Sequence, residues 1–254
     1  MLPLLLILLT PFAFAEGIEG TVSAYSNYIW RGTTFTENKP AVQADLLYME
    51  KQGFFVGAFV SNAEFSDEAM GDDAAVTSEI DYLAGKSWSG DNWEMSFIYN
   101  RYTFPGANVF DANDFSLTGN YKSYYFELSY MDEYFGYQSN YQYFRLGYGW
   151  NYANGVESVL YAGYNKFGTP KGSLKTRCLD SGCTESAQTT TGAGNPDYVD
   201  VFFVNRKNLD NGMVLELAIN WTNREEYTAE DGEVTKANAK DFAALAGIVI
   251  PFTL

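Results

Sequence analysis

The chain has no histidine and only two cysteines among its 254 residues. Histidine is the side chain most used as a general base near neutral pH and as a metal ligand, and two cysteines do not make a Cys-rich zinc site. Positive charge is scarce: Lys+Arg is 16 against 32 Asp+Glu, a formal net charge of −16. So acidic a chain repels phosphate backbones, which excludes nucleic acid as a partner. Charged residues of both signs amount to 19%, below the roughly 25% of ordinary soluble domains. No nucleophile–base constellation, phosphate-cradling Gly-Lys-Ser/Thr loop or complete EF-hand-type calcium loop is present. The chain therefore reads as a non-enzyme, with no catalytic residue, no metal site and no cofactor. Beyond residue 15, no apolar run approaches the roughly 18–20 residues that a membrane helix needs.

What the chain does have is aromatic side chains: 19 Phe, 20 Tyr and 5 Trp, or 17% of the residues. They are spread along its whole length, which argues against disorder. Residues 1–15 (MLPLLLILLTPFAFA) are almost wholly apolar and end in the A-x-A box Ala13-Phe14-Ala15. That pattern predicts a signal peptide at 1–15, cut after Ala15. No Lys or Arg precedes the apolar core. An exported chain without a membrane helix is either soluble or spans as strands, and lipid permits the second only to a closed barrel.

From Gly17 onward, apolar and polar residues alternate in segments of about ten, the period and length of membrane-spanning strands. The pattern predicts twelve strands: 19–31, 40–50, 53–62, 75–87, 92–104, 113–121, 124–132, 141–151, 156–166, 197–206, 213–223 and 241–252. Short links rich in Gly, Asn, Asp and Ser, such as Ser89-Gly90-Asp91 and Ala153-Asn154-Gly155, alternate with long ones at 32–39, 63–74, 105–112, 133–140, 167–196 and 224–240. This rhythm of short turns and longer loops is that of an outer-membrane barrel, and an even strand number puts both termini on the short-turn side. The expected fold is all-β, a single antiparallel up-and-down transmembrane β-barrel formed by residues 16–254.

The same alternation sorts the faces. Val42, Leu46, Leu128, Leu215 and Leu217 fall on the lipid side, whereas Asp45, Glu79, Asp81, Glu94, Glu127, Glu157, Asp200 and Glu216 fall on the lumen side, opposed mainly by Arg145. Rings gather at the strand ends: Tyr48, Trp88, Trp93, Trp150, Tyr152 and Phe252 near the short turns, and Tyr28, Trp30, Tyr102, Phe104, Tyr130, Tyr164, Trp221 and Phe242 near the long loops. Both sets are expected in interfacial belts. The final strand closes on Phe252, similar to the terminal-strand signal read by the barrel assembly machinery, with Pro251 at its extreme end.

Residues 26–62 carry SNYIWRG (26–32), NKPAVQ (38–43), GFFVG (53–57) and SN (61–62). This pattern resembles the amino-terminal signature of the proteobacterial Gcw-type conserved hypothetical proteins, also labelled TorF-family porins. The resemblance rests on Tyr28, Trp30, Arg31, Gly32, Lys39 and Pro40, and implies an outer-membrane barrel and a pore without naming a solute. Physically, Gly32 suits the end of the first strand and Pro40 the start of the second.

Cys178 and Cys183 lie in the longest loop, and in an exported protein the pair is expected to form a disulfide. That loop, 167–196, is the candidate to fold inward and narrow the mouth. Asp67-Glu68 and Asp72-Asp73 read as a solvated acidic face rather than a cation site. The function expected is a porin-like channel for passive diffusion of small hydrophilic, cationic solutes in the outer membrane of a Gram-negative bacterium. Its partners would be outer-membrane lipid, lipopolysaccharide, the assembly machinery and the solutes, and an oligomer is left open. The alternatives are a non-conducting surface barrel acting through its loops (adhesin, receptor or structural protein), and a soluble periplasmic barrel holding a lipophilic ligand.

Overall fold

In a computed structural model of the chain, described for residues 16–65, 76–136, 139–168, 197–230, 233–238 and 242–254, twelve strands close into one antiparallel barrel. In chain order the first eight strands are β1 (Gly17–Tyr25), β2 (Ile29–Trp30), β3 (Thr33–Thr34), β4 (Ala41–Met49), β5 (Phe54–Phe65), β6 (Val76–Gly90), β7 (Trp93–Thr103) and β8 (Ala112–Tyr121). They are followed by β9 (Tyr124–Met131), β10 (Tyr141–Asn151), β11 (Val156–Phe167), β12 (Tyr198–Asn208), β13 (Val214–Thr222), β14 (Glu225–Glu230), β15 (Glu233–Asn238) and β16 (Phe242–Thr253). β2 pairs with β3 and β14 with β15 as separate two-stranded hairpins, and the other twelve form the wall.

Each wall strand pairs with its neighbour in sequence, and β1 closes the ring by pairing with β16 on its other edge. Closure leaves no edge with unpaired backbone groups, the condition for crossing hydrocarbon as strands. Tight connections bring the strands together on one side, for example Lys122-Ser123 between β8 and β9, where Lys122 adopts a φ of 54°. Pro251 lies opposite Thr21, beyond Val249, the last residue of β16 that faces β13.

Directly paired residues in a ladder share a face, so the register divides the wall into two surfaces. Val42, Leu46, Leu128, Phe144, Leu146, Leu215, Leu217 and Ile219 are exposed on the outside. Tyr48, Trp88, Trp93, Tyr152 and Phe252 are exposed at the short-turn end of that surface, and Tyr130, Tyr164 and Phe242 at the opposite end. Large apolar side chains in this density suit lipid rather than water.

Two sequence expectations are corrected. The first strand does not run to residue 31: it leaves the wall after Tyr25, where Ser26 N donates to Ala246 O at 2.8 Å, and residues 27–36 fold into the barrel before the chain returns to the surface at 37–40. Local alternation continues past Tyr25, but the Asn27 side chain accepts from Thr34 Oγ1 at 2.8 Å and donates to Asn38 Oδ1 at 3.1 Å, which holds the segment as a self-bonded loop. Accordingly, Tyr28, Trp30, Tyr102 and Phe104 do not join a lipid belt but are buried in an interior cluster. A ring at a strand end satisfies either environment, and the inward-folded segment supplies partners that a belt position lacks. The 167–196 loop lies outside the described residues apart from Phe167, at the end of β11, and Gly168, as do Cys178, Cys183, the acidic run 67–73 and residues 1–15.

Candidate functional site

Because β2 and β3 are joined by only Arg31 and Gly32, the chain must reverse in two residues. Both take positive φ, 45° and 82°, the geometry of a tight mirror-image turn that suits the twist of a hairpin. Gly32 has a second constraint: a Cβ there would stand 2.8 Å from Asp200 Cβ on β12. The turn thus presses against the barrel wall and carries Arg31 into the interior, rather than ending a strand as the sequence suggests.

Arg31 is 5% exposed. Its Nη2 donates to Asp114 Oδ2 on β8 and Glu127 Oε1 on β9, each at 2.8 Å, and lies 2.8 Å from Ser129 Oγ. Its guanidinium carbon lies 4.6 Å from the ring centroids of both Trp30 and Tyr143, within the range of attraction between a cation and an aromatic face. Burial alone would pull the Arg31 pKa down, but the carboxylates of Asp114 first and then Glu127 hold it well above its ordinary value. The group is therefore a permanent cation.

Glu127 also meets Arg145 on β10, Oε2 to Nη2 at 2.6 Å, so one carboxylate stands between two guanidiniums. Asp114 accepts from Tyr102 Oη at 3.3 Å and from Ser116 Oγ at 3.2 Å. Asp200 accepts from Asn165 Nδ2 at 2.7 Å and Tyr143 Oη at 3.2 Å. Nearer the short turns, Arg206 Nε donates to Glu216 Oε2 at 2.7 Å. Beside the hairpin lies a cavity of about 110 Å³, lined in part by Arg31, Arg145, Arg206, Tyr143, Tyr161 and Phe202.

On the loop side, rings fill the interior. Trp30 is 1% exposed and packs within 5.1 to 6.1 Å, centroid to centroid, of Phe35, Tyr102, Tyr134, Phe135 and Tyr141. These partners are Phe35, the residue after β3, and rings from β7, the 132–140 connection and β10, so the inserted segment is what unites them. Phe110, in a short 3-10 helix at Asn108–Phe110, extends the cluster through Phe104 at 6.5 Å.

The structure places the sequence candidates as follows. Asp45, Glu79, Asp81, Glu94, Glu127, Arg145, Asp200 and Glu216 are buried on the inner face, and Glu157 lies there opposite Arg206. Glu127 and Arg145 meet directly; Asp45, Glu79 and Asp81 lie on β4 and β6, around the ring from the arginines of β10 and β12. Of the motif residues, Tyr28, Trp30, Arg31 and Gly32 build the inserted segment, while Lys39 pairs at the surface with Glu64 and Glu37 and Pro40 precedes β4. Arg206, Asp114 and the inward role of Arg31 escaped the sequence reading. Arg206 and Asp200 share strand parity, a signal that was there to use; Arg31 lies in a turn, where parity assigns no face.

The fold is that of known outer-membrane channels. The KdgM porin aligns at a TM-score of 0.50 with 9% identity, over 93% of this chain and 99% of that one. The NanC porin aligns at 0.51 with 7% identity, over 92% of this chain and 98% of that one. Identities this low carry the architecture alone. No curated protein matches the chain. The model of one family covers residues 10–246, nearly the whole chain, and to that family, the bacterial proteins of unknown function designated Gcw_chp, this protein belongs.

Proposed function

We propose that the protein is a porin-like outer-membrane channel through which small hydrophilic solutes diffuse passively, with an interior that favours cations. The observation that carries this reading is the excess of acidic over basic side chains on the inner face. Among the described residues, that face bears the carboxylates of Asp45, Glu79, Asp81, Glu94, Asp114, Glu127, Glu157, Asp200 and Glu216 against the guanidiniums of Arg31, Arg145 and Arg206. Arg145, Arg206 and Arg31 engage Glu127, Glu216 and Asp114, which leaves the acidic surplus weighted toward β4, β6 and β7. An interior that carries more acidic than basic side chains favours cations over anions. Transport would be movement down a gradient, without a covalent step.

The test is single-channel recording in planar bilayers under a salt gradient. Cation preference is expected, and Asp45→Asn, Glu79→Gln and Asp81→Asn together should move the reversal potential toward zero. An unchanged reversal potential removes the acidic filter. The ring cluster around Trp30 favours a second reading, a non-conducting surface barrel with a filled interior. Folded protein that never shows unitary steps at any salt concentration, either as wild type or as Arg31→Ala, would decide for it.

A further inference from the structure

We propose that the segment 26–40 is the movable constriction of the channel and that Arg31 is the positioning residue that holds it shut; this rests on the channel reading. Three features carry the inference.

The segment is a unit bonded to itself. Phe35 N donates to Tyr28 O at 2.7 Å, Thr34 Oγ1 to Asn27 Oδ1 at 2.8 Å, and Thr36 Oγ1 to Lys39 O at 2.7 Å. Its shape is therefore held in part by its own bonds. Polar ties to the wall anchor the two ends of the segment, through Ser26 N to Ala246 O at 2.8 Å, Asn62 Nδ2 to Pro40 O at 3.0 Å and the Lys39–Glu64 pair, and a separate set gathers at the turn. The Arg31 side chain reaches β8 and β9, the Arg31 carbonyl accepts from Tyr198 Oη at 2.8 Å, and Arg224 Nη1 donates to Thr33 Oγ1 at 2.9 Å. Farther from the turn, Glu64 N donates to Phe35 O at 2.7 Å.

The packing around Trp30 is apolar and non-directional, and rings from several elements can repack around a shifted partner. The Arg31 link is directional. One guanidinium is clasped between two ring faces and bound to two carboxylates that have 1% side-chain exposure. Removing one member of such a buried set leaves its partners charged and dehydrated, and water then competes for the site. Admitting water to Asp114 and Glu127 means moving the turn away from the wall, which widens the pathway. Lysine keeps the charge but lacks the planar guanidinium face that stacks on Trp30 and Tyr143 while one of its nitrogens, Nη2, reaches both Asp114 and Glu127.

The experiment compares wild type, Arg31→Ala, Arg31→Lys and the wall variant Asp114→Asn/Glu127→Gln in planar bilayers, each first shown to be folded by its faster gel mobility before boiling. Arg31→Ala is expected to raise the time-averaged conductance about tenfold or more, because each tenfold change in the open-to-closed ratio needs only the loss of one modest interaction. Arg31→Lys should fall between Ala and wild type. The wall variant should reproduce Arg31→Ala, and combining the two should add little, since both cut one link. The wall variant carries the test should Arg31→Ala not fold. Folded variants that conduct like wild type overturn the latch and leave the channel reading standing. Absence of unitary steps in wild type and all variants overturns both.

Discussion

Arg31 and Gly32 show how much two residues decide. A left-handed φ at a non-glycine residue is tolerated only where the surroundings over-determine it, and at Arg31 they do, through three acceptors and two ring faces. Gly32 has no such compensation to offer a larger residue. Gly32→Ala is expected to lower stability by about 1–3 kcal/mol, since a Cβ meets both an unfavourable φ of 82° and the Asp200 Cβ. Urea unfolding in lipid vesicles, followed by tryptophan fluorescence, measures it; wild-type stability would mean that the turn does not press on the wall. The inner carboxylates were legible in the sequence because a strand repeats its faces every second residue. Parity also places Tyr102 beside Asn100 and opposite the outward Tyr99 and Arg101, so its interior position was readable had the belt expectation not taken precedence. Arg31 was not readable, since its face is set by contacts with residues 83 and 96 positions away.

At the scale of the element, β10 states the rule of the wall. Tyr143 and Arg145 point inward and are buried, while Phe144 and Leu146 point outward, Leu146 with 73% exposure. Leu146 sits between Phe126 of β9 and Ala162 of β11, away from either end of the strand. Leu146→Arg is therefore expected to destabilise the barrel by about 2–4 kcal/mol, the penalty for a cation on the lipid face near the bilayer midplane. Leu146→Met, equally apolar and similar in volume, should be close to neutral. The contrast is read from unfolding midpoints in vesicles; an equally tolerated arginine would mean that this face does not contact hydrocarbon. Wall strands were legible nearly to their ends for the same reason, apolar alternation fixed by lipid on one side. The β14–β15 hairpin was missed because Glu225–Glu230 and Glu233–Asn238 lie outside the wall, where no bilayer imposes that pattern.

For the whole molecule the decisive property is closure, and it rests on one strand. β16 meets β1 along Tyr25 to Glu19 and β13 along Trp221 to Val214, joining the two ends of an otherwise consecutive meander. The strand count and the alternation of short and long connections announced such a meander, because hairpin turns leave a local signature; the seam joins residues more than 200 positions apart and leaves none. Without β16, β1 and β13 would both present rows of unpaired N–H and C=O groups, each costing several kcal/mol in hydrocarbon. Deleting residues 242–254 is therefore expected to abolish the folded species altogether instead of weakening it by degrees. The measurement is mobility in detergent gels before and after boiling, with carbonate extraction of the membranes: the full chain should migrate faster unheated and stay in the membrane. The truncated chain should show one mobility and no membrane-resistant fraction. A truncated chain that still shifts on boiling would mean that the remaining eleven strands close without it, and the register at the seam would then not be what seals the barrel.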